Sequence, residues 1–522
     1  MKYFFLLLFF VSAFANAQIN ADWSEQVGAG RTVLKTIIRD QNSFYEVSDN
    51  GGVSDIRIAL FVNGQKTREN TFTTTIHKKI SRVEEVLLLN HYLYIFFSEE
   101  FDKGNRLYVQ QMDENCENYG EPLLLKEQLV TTSFNSKSIN YRIRVSPNWK
   151  FVSISYLYNN NNVLERPELV TTLYSENMVS KKETRIKMDY YLSEMGIDNI
   201  SVSDAGMALI LISGLDRPAP VRNVFNSLEL YRIDVKGNVK HDILSKKQYN
   251  FFDQNIFQNN DSVYSIAFMY NEIVRKRKLT PGAKGVFVYN YYPQKDSLSQ
   301  PEKLAFQDTA LVKFLSDREL KKYKKAQQKD KRYDLSLQLY RLKDLFTDNE
   351  GGRTLVLEES WSVIQSYNTG RFYESYTIYN NNYLLLTRFD AQLKSNYLSI
   401  IPKVQISRDD GGYFNSFVSY RPTEDQLNIL FNDNLANYDE NGKFILNKSG
   451  VPYMFNNGTR KYCSAFVQFN LKDGKYTRHP LADQVDVNNL IVPQLFDYSN
   501  AIRSALISFT RRNNYQFVQI KW

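Results

Sequence analysis

From Arg31 to the end, the chain is a procession of short runs of alternating apolar residues, each stopped by turn-forming residues. Thr32–Ile38, Phe44–Val47 and Ile56–Val62 form the first group. Glu85–Leu89, Tyr92–Phe97 and Asn105–Met112 form the second, with Glu121–Leu125 as its fourth strand or a connector. Alternation with period two, closed by Asn-Gly or Asn-His pairs, is the signature of antiparallel hairpins. Asn63-Gly64 and Asn90-His91 are such pairs. The 36 Tyr and 34 Phe agree, since aromatic side chains fit a pleated, half-buried surface. The fold class expected is all-β.

A second landmark narrows the architecture. Arg142–Val145, the turn Ser146-Pro147-Asn148, and Phe151–Tyr156 lay out strand, turn and strand. The layout recurs at Ile200–Ser203, Asp204-Ala205-Gly206 and Met207–Ile210. Later strands follow at Leu228–Val235, Val263–Met269 and Gly285–Tyr289. Three or four strands per roughly 40–60 residues suits a radial repeat protein. The expectation is a β-propeller of six to eight blades with degenerate repeats, one domain over 18–522. Residues 309–333 interrupt the rhythm as a charged insertion, read as a protruding helix or loop. Its seven Lys and Arg residues from Lys321 to Arg332 form either a solvated face or a contact for an anionic surface. After it, the alternation of Leu335, Leu337 and Leu339 reads as a strand.

Residues 1–17 read as a cleavable export signal. Lys2 is the positive start, Tyr3–Phe14 the apolar run, and Ala15-Asn16-Ala17 the cleavage pattern before Gln18. The run is short of the roughly 20 residues that span a bilayer. No later apolar segment reaches that length, so no transmembrane helix is expected. The localisation expected is periplasm, outer cell surface or secreted. A formal charge of +8 against 57 acidic residues is too weak a bias for nucleic-acid binding. Cys116 and Cys463 are compatible with one long-range disulfide or with two buried thiols.

The stretch 351–437 carries further phrases: Gly351-Gly352-Arg353-Thr354-Leu355, Glu358-Glu359-Ser360-Trp361, Tyr383–Asp390, Ile401-Pro402-Lys403-Val404-Gln405, Gly411–Phe417 and Leu430–Asn437. Together they resemble an uncharacterised family of secreted, β-propeller-like proteins of Bacteroidetes. The resemblance implies a bacterial exported all-β protein and brings no reaction or catalytic set. The Ser-Pro-Asn turn also resembles turns of Tol-B-like propellers.

Four residues stand out as ligand-binding candidates: Glu358, Lys403, Gln405 and Asp433. In a regular strand Glu358 and Glu359 point to opposite faces, so at most one enters a given groove. Lys403 and Gln405 share a face, with Val404 opposite, and present an ammonium and an amide to one groove or end a blade edge. Asn432-Asp433-Asn434 is most simply an Asx turn, with calcium as the sharper alternative. His77, His91, His241 and His479 form no compact ligand motif, so neither metal nor cofactor is expected.

The leading function expected is a noncatalytic binding or interaction protein, with a cell-envelope protein or polysaccharide as partner. The alternative is an exported hydrolase acting on polysaccharide or peptide, marked by a cleft with carboxylates from different blades. An outer-membrane barrel is a third reading, invited by the alternation of Val518, Ile520 and Trp522. Arg511, Arg512 and Lys521 beside them oppose it. The segment Tyr515–Trp522 is expected to close the chain against the N-terminal repeat, completing the blade begun at Thr32–Ile38.

Overall fold

The computed structural model describes residues 20–521 except 26, 29–31, 50–54, 74, 77–78, 130–138, 160–165, 216–224, 247, 261–262, 273–281, 313–316, 330–334, 369–372, 457–461, 482–489, 500–503 and 512–513. The export signal at 1–17, Trp522 and His77 therefore lie outside the described residues.

The expected hairpins form. Asn63 and Gly64 take φ of 51° and 77°, and Asn90 and His91 take 45° and 68°. Both central turn residues are left-handed, which matches the twist of the flanking strands. The first group becomes Val33–Ile38, Ser43–Asp49, Asp55–Val62 and Gln65–Thr73. The second becomes Arg82–Leu89, Tyr92–Phe101, Gly104–Met112 and Asn118–Leu129, so Glu121–Leu125 lies in a strand. In the repeated turn, Ser146 Oγ accepts the N–H groups of Lys150 and Phe151 at 3.1 and 3.0 Å. Ser203 Oγ accepts the N–H of Met207 at 3.1 Å. The serine is thus the turn's internal acceptor. Gly206 has φ of 75°, and a Cβ there would lie 2.7 Å from Val235. Only glycine fits.

Among the described residues, eight antiparallel sheets of four to six strands follow one another along the chain. They cover 33–73, 82–129, 142–187, 195–246, 249–305, 340–408 and 418–480, and an eighth joins 20–28 to 490–521. Consecutive sheets share apolar cores. Ile58 meets the cluster of Ile95, and Phe96 that of Ile154. Leu173 joins Ile210, and Leu211 joins Phe268. Val288 joins Leu355, and Leu386 joins Phe431. Between the seventh and eighth sheets the seam is polar: Asn432 Nδ2 donates to Ile491 O at 2.8 Å, and Ile491 N–H donates to Asn432 Oδ1 at 2.9 Å. The eighth packs on the first through Phe517, Phe44 and Phe61. The order is therefore cyclic and propeller-like. Several first strands touch the next sheet's first strand, which places them inward. Last strands such as Ser180–Lys187 are largely exposed and charged.

The C-terminal strand Asn514–Lys521 does close the chain on its N-terminal end, with a correction. Its partners are Asn20–Trp23 and Val27–Gly28, not the sheet begun at Val33. Val33–Ile38 is the inner edge of its own sheet, pairs among the described residues only with Ser43–Asp49, and meets the eighth sheet through side-chain packing instead of a ladder. Tyr515 and Phe517 are buried, and the side chains of Val518, Ile520 and Trp522 lie outside the description. Ser24 N–H donates to Phe517 O at 2.9 Å, and Phe517 N–H donates to Ser24 Oγ at 2.8 Å. Across the seam to the first sheet, Tyr515 donates to the buried Glu46 at 2.6 Å, and Arg57 donates to Tyr515 at 2.9 Å.

The charged insertion contains two helices, Asp308–Leu311 and Asp317–Gln327. Lys321, Lys322, Lys324 and Lys325 are exposed, while Tyr323 packs on the core. Leu335, Leu337 and Leu339 are not a strand. Leu335 and Leu337 are buried singly, Leu337 bridges Ala283, and Leu339 turns the chain at φ of 63°. The strand starts at Tyr340. No helix among the described residues is long and apolar enough to cross a membrane. Cys116 and Cys463 are separate buried thiols in different cores. Burial pushes the Cys116 thiol up to about 11.

Candidate functional site

The sixth sheet is the irregular one. Its strands Arg353–Asn368 and Tyr373–Phe389 run far past their neighbours, with a bulge between Glu358 and Ser360. The bulge changes which way consecutive side chains point. Glu358 is fully buried, Glu359 only partly, and both carboxyls sense the charge of Lys403.

Three of the four sequence candidates meet here. Lys403 and Glu358 are both fully buried, and Lys403 Nζ donates to Glu358 Oε1 at 2.7 Å. It also donates to Gln405 Oε1 at 2.8 Å and to Asn381 O at 3.0 Å. Three N–H donors thus find three acceptors, and Glu358 opposes the burial that holds the ammonium's pKa below the ordinary lysine value. Gln405 passes the network on, its Nε2 donating to Asn432 O at 2.8 Å. Lys403 and Gln405 do face one place, although the regular strand begins only at Gln405. That place is interior rather than an open groove.

The other oxygen, Glu358 Oε2, faces different company. Ser416 Oγ donates to it at 2.8 Å, Asn381 Nδ2 at 3.1 Å, and Lys343 Nζ lies at 3.1 Å. Burial opposes charge on this carboxyl, but Lys403 and Lys343 outweigh it and hold its pKa below the ordinary carboxylate range. Ser416, Lys343 and Asn381 line a cavity of about 400 Å3, together with Ser360, Tyr379 and Ser419. Behind Ser419 sits Asp344, whose carboxyl burial pushes up to about 6.

Ser416 is held by an unusual backbone. Its φ is 74°, a left-handed value that a residue with a Cβ adopts only when its surroundings enforce it. Those surroundings are the loop 409–417, which crosses from the sixth sheet toward the ring's seam. Ser416 N–H donates to Gln405 Oε1 at 2.8 Å, and Asn415 Nδ2 donates to Ser407 Oγ at 3.0 Å. Asn432 Nδ2 donates to Phe414 O at 2.7 Å, and Tyr413 donates to Val33 O at 3.2 Å. The loop therefore ties the sixth, seventh and first sheets together and presents Ser416 between them.

Asp433 is not part of this pocket. Its Oδ1 accepts from Asn437 at 2.7 Å and its Oδ2 from Tyr438 at 2.7 Å, and it is paired with the buried Arg478. Arg478 lies 3.8 Å over the Phe444 ring. The carboxylate holds the seventh sheet together. The turn at Asn434 is real, its Oδ1 accepting the N–H of Ala436 at 3.0 Å. Among the described residues no group of three or more His, Cys, Asp or Glu side chains is placed to hold a metal ion.

Ser416 and Lys343 were not singled out from sequence. Ser416 lies in the phrase Gly411–Phe417, and its two glycines before a polar residue were the available signal. Lys343 offered none, because it is the extra residue of a bulge between Leu342 and Asp344, and that irregularity brings it to Glu358.

No family model and no curated protein matches the chain. Solved structures do. A puromycin hydrolase matches at 10% identity and TM-score 0.35, over 78% of this chain and 52% of its own. A prolyl oligopeptidase B from Galerina marginata matches at 8% and 0.33, over 86% and 55%. A luciferin-regenerating enzyme matches at 12% and 0.25, over 71% and 88%. The chain thus spans about half the length of the first two. The expectation of a noncatalytic binding or interaction protein is corrected here. Its pocket holds a serine hydrogen-bonded to a buried carboxylate, an arrangement that suits the alternative reading as a hydrolase.

Proposed function

We propose that this protein is an exported hydrolase of acyl bonds, with a peptide as its substrate class. Its eight sheets are the blades of one propeller, and the pocket at Ser416 is the active site. The observation that carries the reading is the 2.8 Å hydrogen bond from Ser416 Oγ, on the pocket wall, to Glu358 Oε2. A hydroxyl within hydrogen-bond reach of a base that is itself oriented by a third group is the arrangement of an activated nucleophile. Lys403 is that third group: it fixes Oε1 and leaves Oε2 for the serine.

Ser416 Oγ attacks the carbonyl carbon while its proton passes to Glu358 Oε2. The Lys343 ammonium, beside the same oxygen, stabilises the negative charge that develops on the carbonyl oxygen. Collapse breaks the bond to the leaving group, which takes the proton. Water then repeats the sequence on the acyl-serine and frees the acid. The export reading rests on residues 1–17, outside the described structure.

The test is hydrolysis of peptide p-nitroanilides and short peptide esters by the purified protein. Ser416→Ala and Glu358→Gln should each lower kcat by about a thousandfold or more, with the fold intact by circular dichroism. Undiminished turnover in Ser416→Ala sinks the assignment. Release of reducing sugar from polysaccharide, with no action on peptides, does so as well.

A further inference from the structure

The two long strands of the sixth sheet leave it as a bare arm. The first strand of that sheet, Tyr340–Thr347, pairs with Arg353–Asn368 only as far as Glu359. From Trp361 to Asn368 the long strand has Tyr373–Asn380 on one side and no ladder partner on the other among the described residues. The opposite edge of the arm is covered at its root by Gln405–Arg408. Among the described residues the 361–368 edge is open along its whole length, whereas the opposite edge is paired from Ile378 onward. Leu339 still accepts the Ser360 N–H at 2.8 Å, but its φ of 63° turns the chain and Leu337 bridges Ala283, so the lane beside the long strand is vacated beyond Ser360.

Its sequence differs from every charged outer edge of the ring. Gln65–Thr73 carries Lys66, Arg68 and Glu69, and Ser180–Lys187 carries five charges. Val239–Lys246 carries Lys240, Asp242 and Lys246. Charges on an edge strand block pairing with another chain. Ser360–Asn368 has no charge and no proline, and exposes Val363, Ile364 and Tyr367. A two-stranded ribbon exposed on both faces is marginal by itself and gains from a third strand.

The arm is continuous with the pocket. Ser360, Tyr379 and Asn381 at its root line the cavity beside Ser416. We infer that the open edge of Trp361–Asn368 binds the substrate peptide as an added antiparallel or parallel strand and leads its backbone to Ser416. This rests on the hydrolase reading and deepens it: the substrate is an extended, unfolded segment recognised through its main chain. Main-chain pairing gives affinity with little side-chain selectivity.

The test separates this inference from the reading on which it rests by measuring binding rather than turnover. Fluorescein-labelled Ala–Val–Thr peptides, N-methylated at one position at a time, are titrated against the full-length Ser416→Ala protein by anisotropy. In a ladder, alternate N–H groups face the partner. Loss of one such bond costs about 1 kcal/mol, or roughly fivefold in Kd. The expected result is an effect of that size at every second position. Ser362→Pro and Val363→Pro are compared in parallel, since one of two adjacent N–H groups faces the open edge. One of them should weaken peptide binding while the wild-type rate on a small ester persists in the Ser416 background. Uniform tolerance of N-methylation overturns the inference. So does self-association of the protein in sedimentation that the same proline abolishes, which makes a second copy the occupant. Alternation without any turnover by wild-type protein supports the edge and rejects the hydrolase.

Discussion

Lys403 and Glu358 are joined through a 2.7 Å hydrogen bond with neither side chain exposed to solvent. A buried pair of this kind is strongly destabilised when one partner is removed, because the other charge is stranded. Lys403→Met should therefore cost about 3–5 kcal/mol in chemical denaturation. The double variant Lys403→Met, Glu358→Gln should recover a large part of that loss. Equal stability of the single and double variants would mean that Lys403 does not neutralise Glu358.

The pH dependence of turnover follows from the same geometry. Lys403 and Lys343 hold the Glu358 pKa below the ordinary carboxylate value of about 4.3. The base is ionised above its pKa, so kcat/KM should stay level from neutral pH down past the ordinary carboxylate range and fall only below it. Lys343→Gln removes one of the two cations, so the acid limb should move to higher pH. An acid limb that does not respond to Lys343→Gln would place the base elsewhere.

Closure of the ring predicts a local sensitivity. Phe517 is 1% exposed and packs against Phe44 and Phe61 at ring distances of 4.9 and 5.2 Å. Phe517→Ala should cost about 3–5 kcal/mol, measured by urea denaturation. Ser24→Ala, which removes the acceptor for Phe517 N–H, should cost about 1–2 kcal/mol. A neutral Phe517→Ala would argue that the eighth sheet does not hold the ring shut.

Asp198 supplies a pH effect on stability remote from the pocket. Burial pushes its carboxyl up to about 7, against hydrogen bonds from Gln254 and Ser213 that favour the charged form. The folded pKa is above the unfolded one. The penalty for ionising it is therefore absent below about pH 4, grows as pH rises, and is complete above about pH 7. Asp198→Asn should stabilise the protein by about 2–3 kcal/mol at pH 8 and by nothing at pH 3.5. A pH-independent gain would remove titration as the cause.

Much of the ring was legible because hairpin signals are local. Asn63-Gly64 and Asn90-His91 specify their turns through the φ values that they tolerate. Ser146 and Ser203 carry their own acceptors. Lys403 and Gln405 were legible as a pair for the same reason, two residues on one short segment. What escaped depends on distant partners. Leu335, Leu337 and Leu339 alternate, yet among the described residues no ladder partner makes them a strand, and Ala283 bridges Leu337 alone. Asn20–Trp23 pairs with a strand almost the whole chain away, which no local pattern announces. The seven residues from Gly411 to Phe417 read as a distinctive phrase, but the link from Ser416 to Glu358 is made by folding the loop back across 58 positions. Asp433 shows the converse. A polar run at a strand end pointed to a site, and Arg478, 45 residues later, turns it into a structural ion pair.

The most direct measurement is covalent labelling of Ser416. A fluorophosphonate probe reacts with an activated serine as Oγ bonds to phosphorus and fluoride leaves. Intact-mass spectrometry of the native, full-length protein should show one adduct, and peptide mapping should place it on Ser416. The adduct should be lost in Ser416→Ala and slowed at least about a hundredfold in Glu358→Gln. Absence of labelling, or labelling that survives Ser416→Ala, would contradict the account.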